Sequence, residues 1–476
     1  MLKRLYHLAL IIAIVLMGVM VVSAQDSAIL IVAPDGQFST IEAALEVAET
    51  GATIEVHGGS YEAPLMIEKS VTLIGIDNPV IDGGGEGTIV IISADDAVFR
   101  GFTIRNTGQN NSHEDSGIVV EAERVIIEDN LLENVLFGIY FANAHDSVAR
   151  NNIVRGYDID LARRGDGMRV WFSHNMLLEN NDISSSRDML IWYADDITII
   201  NNRFYNNRYG LHFMYSNNAY IEGNQFMNNS VGTYLMYSNG LRVIGNNLSY
   251  NRGPSGYGLA LKDMDGVVAN DNWFIGNRAG LYIDNSPSLY EGYNEFYNNA
   301  FAYNDIGIAA QPHIVRNHFY SNAFLENAQQ ASTRGRGTLQ ANSWSIEGVG
   351  NYWSDYAGYD ADENLIGDMP YRAEGLFEDL ADTYPELRFF IYSPAAQAVD
   401  MAASAFPSLR PEPKLIDDAP LITIPLPDAA ILLQTQSESS LLFPSLLLIL
   451  FGTLPFWSLF YQRYQSLKIG TKGLVS

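Results

Sequence analysis

The residues best suited to chemistry in this 476-residue sequence are methionine and histidine, because the chain contains no cysteine. Met214 is the fourth residue after Gly210, Met236 is the fourth after Gly232, and His212 stands two residues before Met214. Thioether and imidazole groups are ligands that Cu(I) accepts when no thiolate is present. The sequence therefore predicts a Cu(I) site at His212, Met214 and Met236, provided that the two segments lie side by side.

A repeat places these two segments on neighbouring coils. Residues 197–283 contain one pattern four times, in which Asn-x-apolar precedes a short strand that begins at glycine. These glycines, 22, 26 and 22 residues apart, are Gly210, Gly232, Gly258 and Gly280. A period near 22 with β-branched and aromatic residues at fixed phase predicts an all-β, right-handed, single-stranded parallel β-helix. Equivalent residues of successive coils then stack about 4.8 Å apart.

Asparagine marks one turn of the predicted coils throughout the array. Each asparagine can bond to the turn backbone and to the asparagine of the next coil, while tolerating a left-handed conformation. We expect one ladder formed by Asn130, Asn152, Asn181, Asn202, Asn224, Asn246, Asn272, Asn294, Asn317 and Asn342.

Counting from each glycine defines two columns that share a face of the alternating strands. The fourth position reads Trp171, Trp192, Met214, Met236 and Lys262. The second position reads Arg169, Leu190, His212, Tyr234 and Ala260. Methionine also fills core gaps and lines docking surfaces, so a partner surface is the alternative to a copper site. The residues predicted for that surface are Arg163, Arg164, Asp166, Met168, Arg169, Trp171, Trp192, Tyr234 and Lys262.

A longer coil, from Gly138 to Gly167, carries the densest charge in the array. Its carboxylates and guanidiniums could supply an acid, a base and a clamp for an acidic polysaccharide, as in a lyase, hydrolase or epimerase. Salt bridges within the coil explain the same charges, and no His-Asp pair repeats at catalytic spacing. The residues concerned are Asp158, Asp160, Asp166, Asp188, Arg163, Arg164, Arg169 and Arg187.

The N-terminal sequence predicts export and a cap. Residues 1–24 combine two basic residues, an apolar run and a small-residue cleavage site, which together indicate a signal peptide. Residues 25–60 contain a capping-box pattern with a helical apolar stripe, which predicts a short helix over the open end of the solenoid. Coils are expected over residues 61–344.

The C-terminal sequence predicts a second cap and a membrane tether. Residues 345–394 are expected to form a loop-rich cap, and the Pro-rich residues 395–438 an extended linker or a strap along a partner. Residues 439–462 are long and apolar enough for a transmembrane helix, with a short cytoplasmic tail over 463–476. Asp360, Asp362 and Asn364 alternate as in a calcium loop, but the required glycine and glutamate are absent, so an Asx turn is expected instead of calcium.

The charge balance narrows the class of partner. The chain has 28 basic and 55 acidic residues, for a net charge of −27. Nucleic-acid binding requires a basic surface, so nucleic acid is not an expected partner. An adhesive or surface-layer β-helix is a further alternative, because the segment NYWSDY at 351–356 also fits that class.

Several segments of the chain resemble one family of β-helix proteins. They are RRGDGMRVWFSHN at 163–175, the tandem GLHFMYSNN and GTYLMYSNG, and GNYWSDYAGYDADENLIGDMPYR at 350–372. Together with LRFFIYSPA they are similar to the NosD family, the periplasmic component of nitrous oxide reductase maturation in denitrification, within the pectin-lyase-like superfamily. The resemblance covers roughly residues 29–425; the degenerate calcium-like loop and the C-terminal apolar segment depart from it.

The resemblance implies an accessory protein that is not an enzyme. Its partners would be an ABC transporter (permease and ATPase), a copper chaperone and nitrous oxide reductase, whose copper–sulfur centre it would help to build. The expected location is the periplasm or the outer face of the cytoplasmic membrane, with a tether through the C-terminal helix.

Overall fold

The computed structural model of the chain describes residues 29–433, and most of these residues form a right-handed parallel β-solenoid of about 13 turns. Each turn contributes one strand to each of three parallel sheets, which we call A, B and C in the order in which a coil visits them. The predicted all-β parallel β-helix is confirmed for this region.

The three sheets contain 13, 13 and 12 strands. Sheet A contains Leu30–Val32, Thr53–His57, Thr72–Ile76, Val98–Arg100, Ile126–Glu128, Val148–Arg150, Leu177–Glu179, Thr198–Ile200, Tyr220–Glu222, Arg242–Ile244, Val268–Asn270, Asn294–Tyr297 and Asn317–Tyr320. Sheet B contains Ser60–Glu62, Val80–Asp82, Thr103–Arg105, Leu131–Val135, Ile153–Gly156, Asp182–Ser184, Arg203–Tyr205, Gln225–Met227, Asn247–Ser249, Trp273–Ile275, Ala300–Ala302, Ala323–Leu325 and Tyr352–Trp353. Sheet C contains Leu65–Ile67, Val90–Ile92, Ser116–Val120, Phe137–Ala142, Met168–Trp171, Asp188–Trp192, Tyr209–Met214, Val231–Met236, Tyr257–Lys262, Ala279–Asp284, Ile306–Ala310 and Ala331–Thr333.

Side chains that point inward from all three sheets form one continuous apolar core. On strand Tyr209–Met214, for example, Leu211 and Phe213 are completely buried. A glycine near the start of several sheet C strands allows the coils to stack closely. A Cβ atom at Gly210 would lie only 2.5 Å from the carbonyl oxygen of Gly232, so a larger residue does not fit there.

A buried asparagine ladder joins the coils where sheet A turns into sheet B. The Asn224 carboxamide accepts from the backbone N–H of Asn202 at 2.8 Å and donates to Ile199 O at 2.8 Å. It also donates to Oδ1 of Asn246 in the next coil at 3.1 Å. Each rung thus satisfies backbone groups that would otherwise be buried without partners.

The structure contains two asparagine ladders, whereas the sequence predicted a single one. Asn272 donates to Asn299 at 2.9 Å, not to Asn294, because the coil between Asn272 and Asn299 carries an insertion. Asn294 instead begins a strand of sheet A and starts a second ladder, donating to Asn317 at 3.1 Å. Asn317 donates in turn to Asn342 at 2.9 Å. The prediction of one uninterrupted ladder was therefore wrong beyond Asn272.

The N-terminal end of the solenoid is covered by a short helix, α1 (Ile41–Val47), as the capping-box pattern predicts. Thr40 is its N-cap, and the hydroxyl oxygen accepts from the Ala43 N–H at 3.2 Å. Ile41, Ala44 and Leu45 are buried against the first coils.

Two further helices follow the last coil. They are α2 (Leu376–Thr383) and α3 (Pro394–Ala405), joined through a 3-10 turn at Pro385–Phe390. Shorter 3-10 turns occupy Leu161–Arg163 and Pro407–Leu409. A two-stranded antiparallel pair, Tyr371–Arg372 with Ile416–Asp417, ties this region together.

Over residues 395–438 an extended linker or a strap along a partner was predicted, and the first part of this segment, up to Ala405, is helical. The Ala-rich start of this segment favours helix, with Pro394 in the first turn and Ser393 accepting from the Ala396 N–H at 3.2 Å. Farther on, Asp417 is completely buried and accepts from the indole Nε1 of Trp353 at 2.9 Å. The segment is packed on the C-terminal cap.

The loop that resembles a calcium site is held by its own hydrogen bonds. Asp360 accepts from the backbone N–H of Asn364 at 3.1 Å and of Leu365 at 2.8 Å. Asn364 accepts in turn from the Ile366 N–H at 2.8 Å. These are the bonds of the predicted Asx turn.

Residues 428–433 belong to a separate unit and contain one helical turn, α4 (Ala430–Leu433). Among residues 29–433 no helix is long and apolar enough to cross a membrane. The predicted signal peptide (1–24), transmembrane helix (439–462) and cytoplasmic tail (463–476) lie outside the described residues.

Candidate functional site

The outer surface of sheet C carries the column that contains the two predicted methionine ligands. The strand register aligns Trp171 with Trp192, Trp192 with Met214, Met214 with Met236 and Met236 with Lys262. All five side chains are half-buried on the outside of the coil. The backbones that carry the two thioethers are therefore about 4.8 Å apart, one strand spacing.

His212 lies on the same face, in the column that aligns it with Leu190 and Tyr234. Its side chain is 15% exposed, and its Nδ1 lies 3.2 Å from Oδ2 of Asp188. An ionised carboxylate only accepts hydrogen bonds, so this contact assigns the imidazole proton to Nδ1. The lone pair on Nε2 is then free, and a carboxylate behind the ring orients it, as in many metal-binding histidines.

Asp188, which stands where neighbouring coils have glycine, is the anchor of this cluster. Its side chain is 2% exposed, forms an ion pair with Arg208 and accepts a hydrogen bond from Nδ1 of His212. Burial opposes ionisation, but the hydrogen bonds from His212 and Arg208 outweigh it and hold the pKa of Asp188 below its usual value. Asp188 therefore stays charged at neutral pH and keeps His212 in place.

The charges of the long coil belong to an ion-pair network that joins it to the coils on either side. Asp166 is 1% exposed and pairs with Arg169 at 2.7 Å and with Arg187 at 3.0 Å. Arg169 also reaches Glu114 at 2.5 Å. Burial raises the pKa of Asp166 in spite of the two guanidiniums. The salt-bridge explanation of these charges thus agrees with the structure.

Two residues that were predicted for the partner surface are buried instead. Met168 is 1% exposed, because the alternation of its strand turns the side chain into the core. Asp166 is covered by the guanidiniums that it binds, with no exposed side-chain surface. Neither residue can contact a docked protein.

Arg163 and Arg164 lie on the insertion of the long coil, on the turn before sheet C, and not on the sheet that carries the methionines. The Arg164 guanidinium donates to the carbonyl oxygens of Ile159 at 2.9 Å and Asn206 at 3.2 Å. This residue therefore fastens the insertion to a neighbouring turn.

Tyr234 and Lys262 stay close to the methionine column. Tyr234 packs at the edge of an apolar cluster on the outside of sheet C that includes Tyr257 and Tyr282, and burial raises its pKa. The Lys262 ammonium lies 5.9 Å from the ring centroid of Tyr237. The column thus ends at a cation that rests over an aromatic ring.

A row of exposed aromatic rings runs beside the methionine column and extends the site beyond the predicted residues. We call Phe172, Tyr193, Tyr215 and Tyr237 the aromatic ladder. Successive rings stack with centroids 4.9, 5.2 and 4.8 Å apart. Phe172, Tyr193 and Tyr215 are 38–42% exposed. Each is the fifth residue after the glycine, or after Asp188 in its place, from which the columns are counted. Counting one position farther than Met214 would therefore have identified the row.

The backbone at the aromatic ladder is strained. Its four residues have φ between 46° and 54°, in the left-handed region that is unfavourable for bulky side chains. Neighbouring coils place Asn143 and Asp263 at the equivalent turn, and these residue types adopt that conformation more easily. Four consecutive aromatic residues at a strained position indicate that the exposed rings have a role outside the fold.

The donor set available for a metal is restricted to thioethers and imidazole. Within residues 29–433 no three His, Asp or Glu side chains converge in a way that could hold a metal ion. His212, Met214 and Met236 form a soft donor set on one face, which fits Cu(I) and not a hard cation.

Comparisons with known proteins identify a family and two relatives. The family described as "Periplasmic copper-binding protein (NosD)" matches residues 151–358, and a family of unknown function matches residues 68–212. A Pseudomonas aeruginosa protein, "Probable ABC transporter binding protein NosD", is 30% identical over 77% of this chain and 87% of its own length. A Stutzerimonas stutzeri protein of the same name is 27% identical over 77% and 86%.

Solved structures with similar coils belong to proteins of different activity. The A-module of the Azotobacter vinelandii mannuronan C-5 epimerase AlgE4 is 17% identical, covers 65% of this chain and 93% of its own, and has a TM-score of 0.44. The Streptococcus pneumoniae surface adhesin PfbA is 13% identical, with 61% and 88% coverage and a TM-score of 0.44. At these values neither carries an argument about function.

Proposed function

Because the chain belongs to the NosD family, we propose that it is an exported accessory protein in the maturation of nitrous oxide reductase. It acts with an ABC transporter, made of a permease and an ATPase, and with a copper chaperone to assemble the copper–sulfur centre. The names of the similar proteins support this proposal: the two relatives are named probable ABC transporter binding proteins, and the matching family is described as periplasmic and copper-binding. Export by residues 1–24 and a tether through residues 439–462 are parts of the same proposal.

The observation that carries the proposal is the soft donor set on the outside of sheet C. Nε2 of His212 and the sulfur atoms of Met214 and Met236 supply three neutral ligands, a set that accepts Cu(I). Asp188 is the positioning residue, because its carboxylate holds His212 through Nδ1 at 3.2 Å. Copper is the cargo here: a site of neutral ligands on an open surface holds the ion and can release it to a partner.

The aromatic ladder and its neighbours are the proposed docking surface for the protein that delivers or receives copper. Trp192 and Lys262 lie on either side of the two methionines in their column, and Tyr234 lies next to His212 in the neighbouring column. Aromatic residues are enriched at protein interfaces, where a large ring contributes contact area at little cost in conformational entropy. The partner would therefore cover the copper site while contacting the rings.

The role can be tested in a denitrifying host from which the gene has been deleted. Wild type should restore nitrous oxide consumption and the copper content of the purified reductase. The triple variant His212→Ala/Met214→Ala/Met236→Ala should restore neither. A matched control is Met66→Ala, since Met66 is also an exposed methionine on a sheet C strand but has no predicted ligand beside it.

Other outcomes would contradict the proposal. Normal reductase in the deletion strain would exclude an accessory role. Full restoration by the triple variant would exclude the copper site while leaving the accessory role. Product release from an acidic polysaccharide by the purified protein would favour the carbohydrate-active enzyme that shares this fold.

A further inference from the structure

A second site lies at the C-terminal end of the solenoid, apart from the methionine column. A cavity of about 340 Å³ separates the coil face at Ile306 and Ala328 from the 3-10 turn that connects α2 to α3. Its volume falls within the range that is common for ligand sites. Phe389 and Tyr392 stand at its edge and are 92% and 77% exposed. Large apolar side chains that remain this exposed mark a surface used for binding.

The floor of the cavity is a rigid polar frame centred on Asp382. This carboxylate is 4% exposed and accepts from Lys414 at 2.5 Å, Ser332 at 2.6 Å, Gln329 at 3.1 Å and Arg388 at 3.2 Å. The convergence of these four donors on one carboxylate fixes the side chains of Gln329 and Arg388 before any ligand arrives.

Gln329 and Arg388 each carry one polar atom without a partner. Asp382 only accepts, so the Gln329 amide must turn Nε2 towards it, which leaves Oε1 unpaired. Arg388 donates through Nη2 to Ser332 and Asp382, and its Nε is unpaired. Gln329 is 1% exposed, and both residues line the cavity. A buried unpaired polar atom is costly, so a group that pairs with both atoms would bind favourably.

We propose that this cavity binds an extended peptide segment of a partner protein through the main-chain N–H and C=O of one residue and a large apolar side chain. The N–H donates to Gln329 Oε1, and the carbonyl oxygen of the same residue accepts from Arg388 Nε. The apolar side chain enters between Ile306 and Phe389. In an extended chain the N–H and C=O of one residue point to the same side, so they supply a donor and an acceptor in adjacent positions without charge. The cavity's other charged side chains are already paired: Arg278 with the Pro254 carbonyl and Asp305 with Arg252.

The test uses the full chain and a defined probe, the capped dipeptide acetyl-Leu-Phe-methylamide, with saturation-transfer NMR as the readout. Binding should weaken at least about tenfold for the counterpart in which every amide nitrogen is methylated, because the donor is lost. Phe389→Ser and Ala328→Trp should weaken binding to a similar extent, the first by removing the rim and the second by filling the cavity. Tyr290→Ser is the matched control, since Tyr290 is 89% exposed on a different loop.

Equal binding of the methylated probe, or binding that Ala328→Trp and Phe389→Ser leave unchanged, would overturn the proposal. Because Phe389 makes so little contact, its variant should keep the wild-type melting temperature even if Ala328→Trp fails to fold. A second binding experiment with phosphatidylcholine vesicles tests whether the occupant is a lipid. If Phe389→Ser reduces vesicle binding and not peptide binding, the occupant is lipid and the proposal fails. Copper binding should be unaffected in every variant, which separates this site from the proposed copper function.

Discussion

The buried asparagine ladder gives the most quantitative prediction for the fold. Asn224→Ala removes a carboxamide that is completely buried. The backbone N–H of Asn202 loses its acceptor, at 2.8 Å, and the carbonyl of Ile199 loses a donor, at 2.8 Å. Each buried group left without a partner costs about 1–3 kcal/mol, so the variant should be destabilised by about 2–5 kcal/mol.

The measurement is denaturant unfolding of the full chain, followed by hydrogen exchange at the Asn202 and Asn224 coils. Asn111→Ala is the matched control, because that exposed side chain makes one hydrogen bond, to the Arg163 carbonyl at 3.1 Å, and should cost under about 1 kcal/mol. Exchange should rise at the coils on both sides of Asn224, since each coil of a solenoid contacts only its neighbours. Equal destabilisation by the two variants would refute the ladder as a source of stability.

Two further predictions concern the carboxyl groups of Asp188 and Glu378. Asp188→Asn should lower Cu(I) affinity by about 10–100-fold, because His212 loses the charge that orients it; the affinity is measured by chelator competition at a temperature at which circular dichroism shows the variant to be folded. Burial, with nearby acidic residues and in spite of Lys414, raises the pKa of Glu378 from 4.5 to about 7. Its neutral form therefore stabilises the fold below pH 4.5, and that contribution is lost as pH rises to 7. Calorimetry should show a fall in melting temperature from pH 5 to 7.5 that Glu378→Gln reduces; an unchanged slope would contradict this.

The periodic part of the fold could be predicted from sequence because one physical constraint repeats in every coil. Glycine is required at position 210, because a Cβ atom there would lie only 2.5 Å from the carbonyl oxygen of Gly232. Asparagine is required at the buried turn between sheets A and B. Both requirements place the same residue type at a regular spacing along the sequence, and this spacing shows which residues of successive strands align. The phase is lost where insertions change the spacing, which explains why Asn294 was assigned to the wrong ladder. Residues 395–405 lacked a repeat, so their helix depended on Ala propensity and the Ser393 cap alone.

For the candidate site, the sequence predicted only which residues of successive coils align in a column. The alignment of Met214 with Met236 follows from the repeat, and the strand register agrees with it. The role of Asp188 did not follow, because its position reads as a replaced glycine and its contact with His212 depends on burial and side-chain direction. The C-terminal cavity joins coil residues to a segment about 60 residues later, and no spacing rule connects such distant parts of the chain.

The most direct test of the account is a Cu(I) competition titration on the purified full chain. Wild type and Met66→Ala should bind one Cu(I) with the same affinity against a chelator of known strength. His212→Ala/Met214→Ala/Met236→Ala should lose that binding while keeping the circular dichroism of the solenoid. Equal Cu(I) affinity of the triple variant and wild type would contradict the central claim that the outer face of sheet C is a copper-handling site.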